Sequence, residues 1–420
     1  MSDKVVANGN GGRPVDPLIV AAGRALSAGD PLGALKYVAL REDAPALALR
    51  GTAMAQLGDF ERARALLRRA ARSFEARDAA ARARCVVALA EIDLATRELP
   101  GDSTALGAAR EVLTAHGDHG NAAHAQFLEA RYLLLVGQLV AAEHALARVD
   151  PTSLPAALQA AHALTVAGIA IRRVHAAAAH TALERAQQCA RQSGVPALMA
   201  EVESASRMLK APAVRMLARG QTRVLLLAGV EALLASGAFI VDACRYAVRA
   251  GDVLIPLATR PILFALAREL AEAWPGDVPR EVLVARTFRL KHADATLRAR
   301  LRVEIGRLRK ALRGVADVAA TRRGFALAPR PQREVVVLLP PVEGKHAAVR
   351  AVLADGEVWS SSALALVLGS SRRNVQRALE ALAAEGKVQA LGRGRARRWL
   401  TPPLPAFTTT LLLPAPFPAD

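Results

Sequence analysis

Residues 47–74 read LALRGTAMAQLGDFERARALLRRAARSF: a helical segment, a tight turn at Gly58 and Asp59, and a second segment whose Ala63, Leu66, Leu67 and Ala70 fall on one helical face. A helix pair closed by so short a turn cannot cover its own apolar stripe, so it must stack on another pair. Residues 125–149, AQFLEARYLLLVGQLVAAEHALARV, repeat the pattern around Gly137. The distance between the two turns leaves room for one further hairpin near residues 97–108, and another follows near 173–186. The implied period is about 37 to 40 residues, in the range of helical repeats that stack in one dimension. Breaks at residues 29–31, 58–59, 100–102, 116–121, 150–151 and 193–196 divide the rest of residues 16–210 into pieces of helix and hairpin size.

Composition points the same way, because 52% of the chain is hydrophobic but only 4% aromatic. Ala, Leu and Arg dominate, which is a helix-forming vocabulary. Small residues at the helix crossing and Gly at the turn resemble tetratricopeptide repeats over roughly 195 residues, although the large aromatic positions of that family are mostly Ala or Leu here. The resemblance implies an α-solenoid over residues 16–212, behind a disordered tail at 1–15. Its concave surface would take a protein or peptide partner, or a small ligand.

Charge divides the chain. Of the formal +18, residues 1–210 carry 24 Lys and Arg against 21 Asp and Glu, and residues 211–420 carry 32 against 17, or +3 and +15. A basic half joined to a near-neutral half points to a polyanionic partner for the basic part alone.

Within the basic half, residues 239–257 read as short strands with a turn at 249–252. Three helices follow: one opened by Pro261 with Ile262, Leu263, Leu266 and Leu270 on one face, one opened by Pro279, and one capped by Asp294 and ending at Gly314. In the third, Leu297, Leu301, Ile305, Leu308 and Leu312 form a core face, and Arg298, Arg300, Arg302, Arg307, Arg309 and Lys310 occupy the rest. Residues 318–328, VAATRRGFALA, read as a two-stranded hairpin with Arg322 and Arg323 at its tip. These about 90 residues resemble the winged-helix output domains of OmpR/PhoB-type bacterial response regulators, although no receiver domain precedes them. The resemblance assigns residues 223–330 to a winged helix. It places Arg302, Arg309 and Lys310 in the major groove, Arg298 and Arg300 beside them, and Arg322 and Arg323 on the adjacent backbone or minor groove.

A Pro-rich stretch at 331–343 reads as a linker. Residues 344–402 then give a helix, a short strand at EVWSS, a helix beginning at Ser362 and closed by Gly369, and a third helix capped by Ser370 or Ser371. Val375, Leu379 and Leu382 face inward, and Arg372, Arg373, Asn374, Gln376 and Arg377 fill the first two turns, where recognition helices reach base edges. KVQALGRGRARRWLT reads as a second hairpin with Arg393, Arg395 and Arg397 alternating on one face and Trp399 at its base. The unit resembles the winged helices of MarR- and GntR-like regulators over about 55 residues, with a tail at 403–420.

Other classes fare worse. Cys85, Cys189 and Cys244 are widely spaced, with no C-x-x-C pair, and read as free thiols in a reducing cytosol. The polar, Gly-rich start is no signal peptide. The longest apolar stretch, 224–243, is broken by Glu231, Ser236 and Asp242 and by two turn-forming glycines, and reads as core rather than membrane span. His116, His119 and His124 with Asp118 have a spacing that can wrap a metal, but HGDHGN is as readily a polar turn. His175 and His180 do not share a helix face. No nucleophile triad, phosphate-binding loop or cofactor motif is present, so neither an enzyme nor a cofactor is expected.

The expectation is therefore a mainly α chain: an N-terminal α-solenoid followed by two winged helix-turn-helix domains with small β-sheets. It is expected to act in the cytoplasm as a sequence-specific transcriptional regulator on double-stranded DNA, with a partner or ligand at the solenoid and the question of a homodimer open. The alternative is a scaffold in which both parts bind protein.

Overall fold

The computed structural model describes residues 16–75, 78–96, 104–135, 137–257, 259–288, 295–330, 333–341, 346–353, 359–368, 370–392 and 397–400. Among them the chain is mainly helical, with eighteen α-helices and small sheets.

Eleven helices fill the first half: α1 (Pro17–Ser27), α2 (Pro31–Val38), α3 (Ala44–Gln56), α4 (Phe60–Ser73), α5 (Ala79–Ala95), α6 (Thr104–Ala115), α7 (His119–Leu135), α8 (Leu139–Leu146), α9 (Ala156–Arg173), α10 (Ala176–Ser193) and α11 (Pro196–Leu209). Their starts are written locally. Asp16, Asp30, Asp43 and Asp59 each accept a backbone N–H from the first turn of the helix they precede. Proline occupies the first turn of α1, α2, α3 and α11, where its missing N–H costs no hydrogen bond. Helix α7 starts earlier than expected. Asp118 caps it by accepting from the Asn121 N–H, so His119 to Asn121 are already helical.

Consecutive helices pack as hairpins, and α1, α3, α5, α7, α9 and α11 also touch in succession. Small residues allow the close crossings. A Cβ on Gly51 would lie 2.7 Å from the Leu67 side chain, so α3 and α4 meet at that distance only with glycine there. Leu26, Leu47 and Leu67 are fully buried between helices, each contributing about 2 kcal/mol.

The second half begins with β1 (Val214–Ala218), β2 (Gln221–Leu225) and α12 (Leu227–Ala235), followed by β3 (Phe239–Asp242), β4 (Ala247–Ala250) and β5 (Val253–Pro256). Helix α13 (Pro261–Glu272), β6 (Asp277–Pro279), α14 (Arg280–Phe288), α15 (Ala295–Ala311), β7 (Ala316–Ala320), β8 (Gly324–Pro329) and β9 (Val335–Leu339) come next. Six strands form one sheet in the order β2-β1-β9-β3-β4-β5, antiparallel throughout except for the parallel β3–β9 pair.

This sheet corrects three expectations. The stretch 331–343 is not a plain linker, because Val335–Leu339 is a central strand. Val335 and Val337 pack on the α13 side, and Val336 and Leu338 pack on the other side with Leu233 and Leu234 of α12. A strand covered on both faces carries no polar alternation. The expected unit start at residue 223 falls inside β2, whose hairpin with β1 opens the sheet. Pro279 ends β6, and the helix it was expected to open begins at Arg280.

The last elements are α16 (Ala347–Leu353), α17 (Ser361–Val367), α18 (Arg372–Ala384), β10 (Gln389–Leu391) and β11 (Arg398–Leu400). Helix α17 begins one residue before the expected Ser362, and Gly369 and Asp294 lie outside the described residues. Trp359 and Trp399, both buried, hydrogen-bond through their backbones at 2.7 Å and centre this core with Leu353, Leu364, Val375, Leu379 and Leu382. Leu135 of α7 packs against the same core.

Candidate nucleic-acid interface

The two basic segments expected to meet DNA each lie on a helix beside a β-hairpin. In the first, Leu301, Ile305, Leu308 and Leu312 of the α15 segment are buried against α13, and Leu297 packs at the edge. That stripe fixes the opposite side outward, so Arg298, Arg300, Arg302, Val303, Gly306, Arg307, Arg309, Lys310 and Arg313 are exposed. Open space surrounds the position a Cβ on Gly306 would take, in the middle of this face.

The exposed cations are not equivalent. Arg309 donates from Nε to the Val318 carbonyl at 2.8 Å and lies 3.9 Å from Asp317, tying α15 to the β7–β8 hairpin. Arg298 lies 3.6 Å from Glu281, Arg300 stacks 4.8 Å above the Phe288 ring, and Arg307 pairs with the buried Glu304 at 2.8 Å. Arg302, Lys310 and Arg313 have no carboxylate partner among the described residues. Arg302, Gly306 and Lys310 recur at four-residue spacing, and Arg313, absent from the sequence-based set, continues the same strip. Counting on from Arg309 and Lys310 by a helical turn was the signal available for it.

Strand β8 pairs with β7 on one side and β6 on the other. The β7–β8 turn is held from outside the hairpin. Thr321 donates from Oγ1 to Asp277 at 2.6 Å, and Arg280 donates to the carbonyls of Thr321 at 3.0 Å and Arg322 at 3.1 Å. Arg280, another residue sequence reasoning missed, also lies 5.4 Å above the Phe325 ring. A Cβ on Gly324 would fall 1.8 Å from the Val278 carbonyl oxygen, so β6 and β8 approach this closely only across glycine. These restraints leave Arg322 and Arg323 exposed at the turn without a carboxylate partner among the described residues.

In the second segment Ser371 caps α18, its Oγ accepting from the Asn374 N–H at 3.2 Å. Arg372 and Arg373 are exposed, with no carboxylate partner among the described residues. Arg377 donates to Asn374 Oδ1 at 2.6 Å, so these two side chains hold each other. Gln376 sits differently from expectation: its Oε1 accepts from Ser361 Oγ at 2.8 Å, and its Nε2 donates to Glu380 at 2.9 Å. Ser361 Oγ in turn accepts from the Trp399 indole N–H at 3.2 Å. Both ends of the Gln376 amide are thus used within the protein. Arg397 lies 4.2 Å above the Trp399 ring, and Arg393 and Arg395 fall outside the described residues. The neighbouring Arg398 is buried and donates to the Thr96 carbonyl at 3.3 Å, linking β11 to the end of α5. Burial, and then the charge of nearby Arg64, lower its pKa.

The histidine cluster is drawn apart into separate contacts. His116 Nδ1 is 2.8 Å from the Val112 carbonyl oxygen, Asp118 accepts from Arg84 at 2.6 Å, and His124 is buried 3.0 Å from Glu91. Among the described residues no group of three or more His, Cys, Asp and Glu is arranged to hold a metal ion, and no helix is long and apolar enough to cross a membrane. No family model, curated protein or solved structure matches the chain.

Proposed function

We propose that this chain is a DNA-binding transcriptional regulator of the cytoplasm, with the stacked helical hairpins as a tetratricopeptide-like solenoid and two winged helix-turn-helix units reading duplex DNA. The observation that carries the reading is a repeated arrangement. Over two separate cores, a helix turns a basic face outward beside a hairpin carrying arginine, and Arg302, Lys310, Arg322, Arg323, Arg372 and Arg373 have no carboxylate to neutralise them among the described residues. Unneutralised cations on an exposed helix face attract phosphates, and a helix fits the major groove. Exposed Val303 adds an apolar contact of the kind that meets a thymine methyl group. In this reading Arg298, Arg300 and Arg309 chiefly position α15, Gln376 positions α18, Arg372 and Arg373 clamp phosphates at the start of α18, and the Asn374–Arg377 pair reads bases.

The test is footprinting of the full chain on randomised duplexes: an extended, sequence-specific footprint supports the reading, and equal affinity for all duplexes refutes the specificity. Two contacts favour the scaffold alternative. The second unit leans on the helical array through Arg398 and Leu135, as a protein-binding module does. Replacing Arg372 and Arg373 by Ala separates the two, because a scaffold keeps its partners.

A further inference from the structure

A cavity of about 1140 Å³ lies where three parts of the chain meet. Leu209 at the end of α11, Val230 of α12, Leu339 of β9 and Val352 of α16 give it an apolar wall. Its charged lining is one-sided. Arg172, Arg215, Arg245 and Arg268 line it, against a single carboxylate, Asp242. That carboxylate already accepts the N–H groups of Cys244 at 2.9 Å and Arg245 at 3.1 Å. Arg268 is paired with Glu272 at 2.5 Å, and Arg215 donates to the Pro340 carbonyl at 3.2 Å. Arg245 has no carboxylate partner among the described residues.

The walls also concentrate unusual backbone. Of the four non-glycine residues with positive φ among those described, Val174 at 61°, Tyr246 at 53° and His346 at 69° line this cavity. A β-branched or bulky side chain rarely adopts that conformation, and such positions gather at ligand sites.

From this geometry we infer that the cavity binds a small amphipathic monoanion, an aliphatic or aromatic body ending in a carboxylate. The apolar wall takes the body, and Arg245 at the rim takes the carboxylate. A neutral hydrophobe leaves the guanidinium unused, and a phosphate-rich ligand has too few donors for its charge. The volume, about 1140 Å³, lies just above the range of small-molecule pockets, about 300 to 1,000 Å³, so a small ligand fills part of it. Because α11, the six-stranded sheet and α16 all supply wall, an occupant touches the helical array and both basic units at once. The inference rests on the regulator reading only in making that ligand a signal for DNA binding; the site itself is tested without DNA.

The experiment uses the full chain and anilinonaphthalene sulfonate, an amphipathic anion that fluoresces in apolar pockets. Displacement by dodecanoate but not by dodecyltrimethylammonium is expected. Arg245→Glu is expected to weaken dodecanoate binding about tenfold or more, and Ala348→Trp, at the cavity wall, to abolish it, both with an unchanged melting curve. Equal displacement by the cation, or dodecanoate affinity unchanged in both variants, overturns the inference. Should either variant melt early, the other carries the comparison. Loss of sequence-specific DNA binding with dodecanoate binding intact removes the regulator reading and leaves the site.

Discussion

Six exposed cations with no carboxylate partner among the described residues set a measurable quantity, the salt dependence of DNA affinity. Each phosphate neutralised adds about 0.9 to the slope of log affinity against log salt. If Arg302, Lys310, Arg322, Arg323, Arg372 and Arg373 each neutralise one, the slope is about −5.4, and affinity falls about 1,800-fold between about 50 and 200 mM salt. Replacing Arg372 and Arg373 by Ala brings the slope to about −3.6 and the loss to about 150-fold. Fluorescence anisotropy of a labelled duplex, titrated at several salt concentrations, measures both. The matched control is Arg298→Ala with Arg300→Ala, since those guanidiniums face Glu281 and the Phe288 ring. The control is expected to shift the slope by less than about half a unit. A double variant of Arg372 and Arg373 that keeps the original slope, or a control that loses as much, refutes the division between free and engaged cations.

Further outcomes follow from particular contacts. Gln376→Ala should leave base preference unchanged while costing about 1 kcal/mol of stability through its lost hydrogen bonds, read by thermal melting and by selection from random duplexes; a changed preference at one base would contradict its inward role. Gly324→Ala should destabilise the β6–β8 pairing by about 3 kcal/mol or more, because the new methyl meets the Val278 carbonyl, and an unaltered melting curve argues against that register. Trp399→Ala should cost about 3 to 5 kcal/mol, since the indole is fully buried, whereas Trp399→Phe should lose chiefly the bond to Ser361. Burial pushes the Cys85 thiol up to about 12, so it stays protonated at about pH 8; alkylation should reach it only in denaturant, and rapid labelling of the native chain would refute its burial.

What could be read from the sequence was the part written in neighbouring residues. Asp16, Asp30, Asp43 and Asp59 announce helix starts because a cap acts within three residues. The stripe from Leu301 to Leu312 announces the buried side of α15 because helical periodicity is local. Strand β9 stayed hidden because VVVLL is covered on both faces and ends at two prolines, which read as a link. Side-chain partnership was also out of reach. Gln376 looks free until Ser361, fifteen positions away, is folded against it, and Arg398 meets Thr96 from 302 positions away. The residue types at the candidate interface were therefore legible, while the division between cations that clamp the protein and cations left for a ligand was not.

The parallel pairing of β3 with β9 makes the first basic unit a clasp. Everything from α13 to β8 leaves the sheet after its edge strand β5 and returns through the interior strand β9, which lies beside β3. A chain ended at residue 330 would lose the strand that joins the β1–β2 hairpin to β3, leaving Ile240 and Met216 on unpaired edges open to self-association. The smallest fragment able to present α15 must therefore start before Val214 and run past Leu339. Deletions and fusions between those limits open the clasp, whereas the segment after Pro341 is where a fusion would leave the sheet intact.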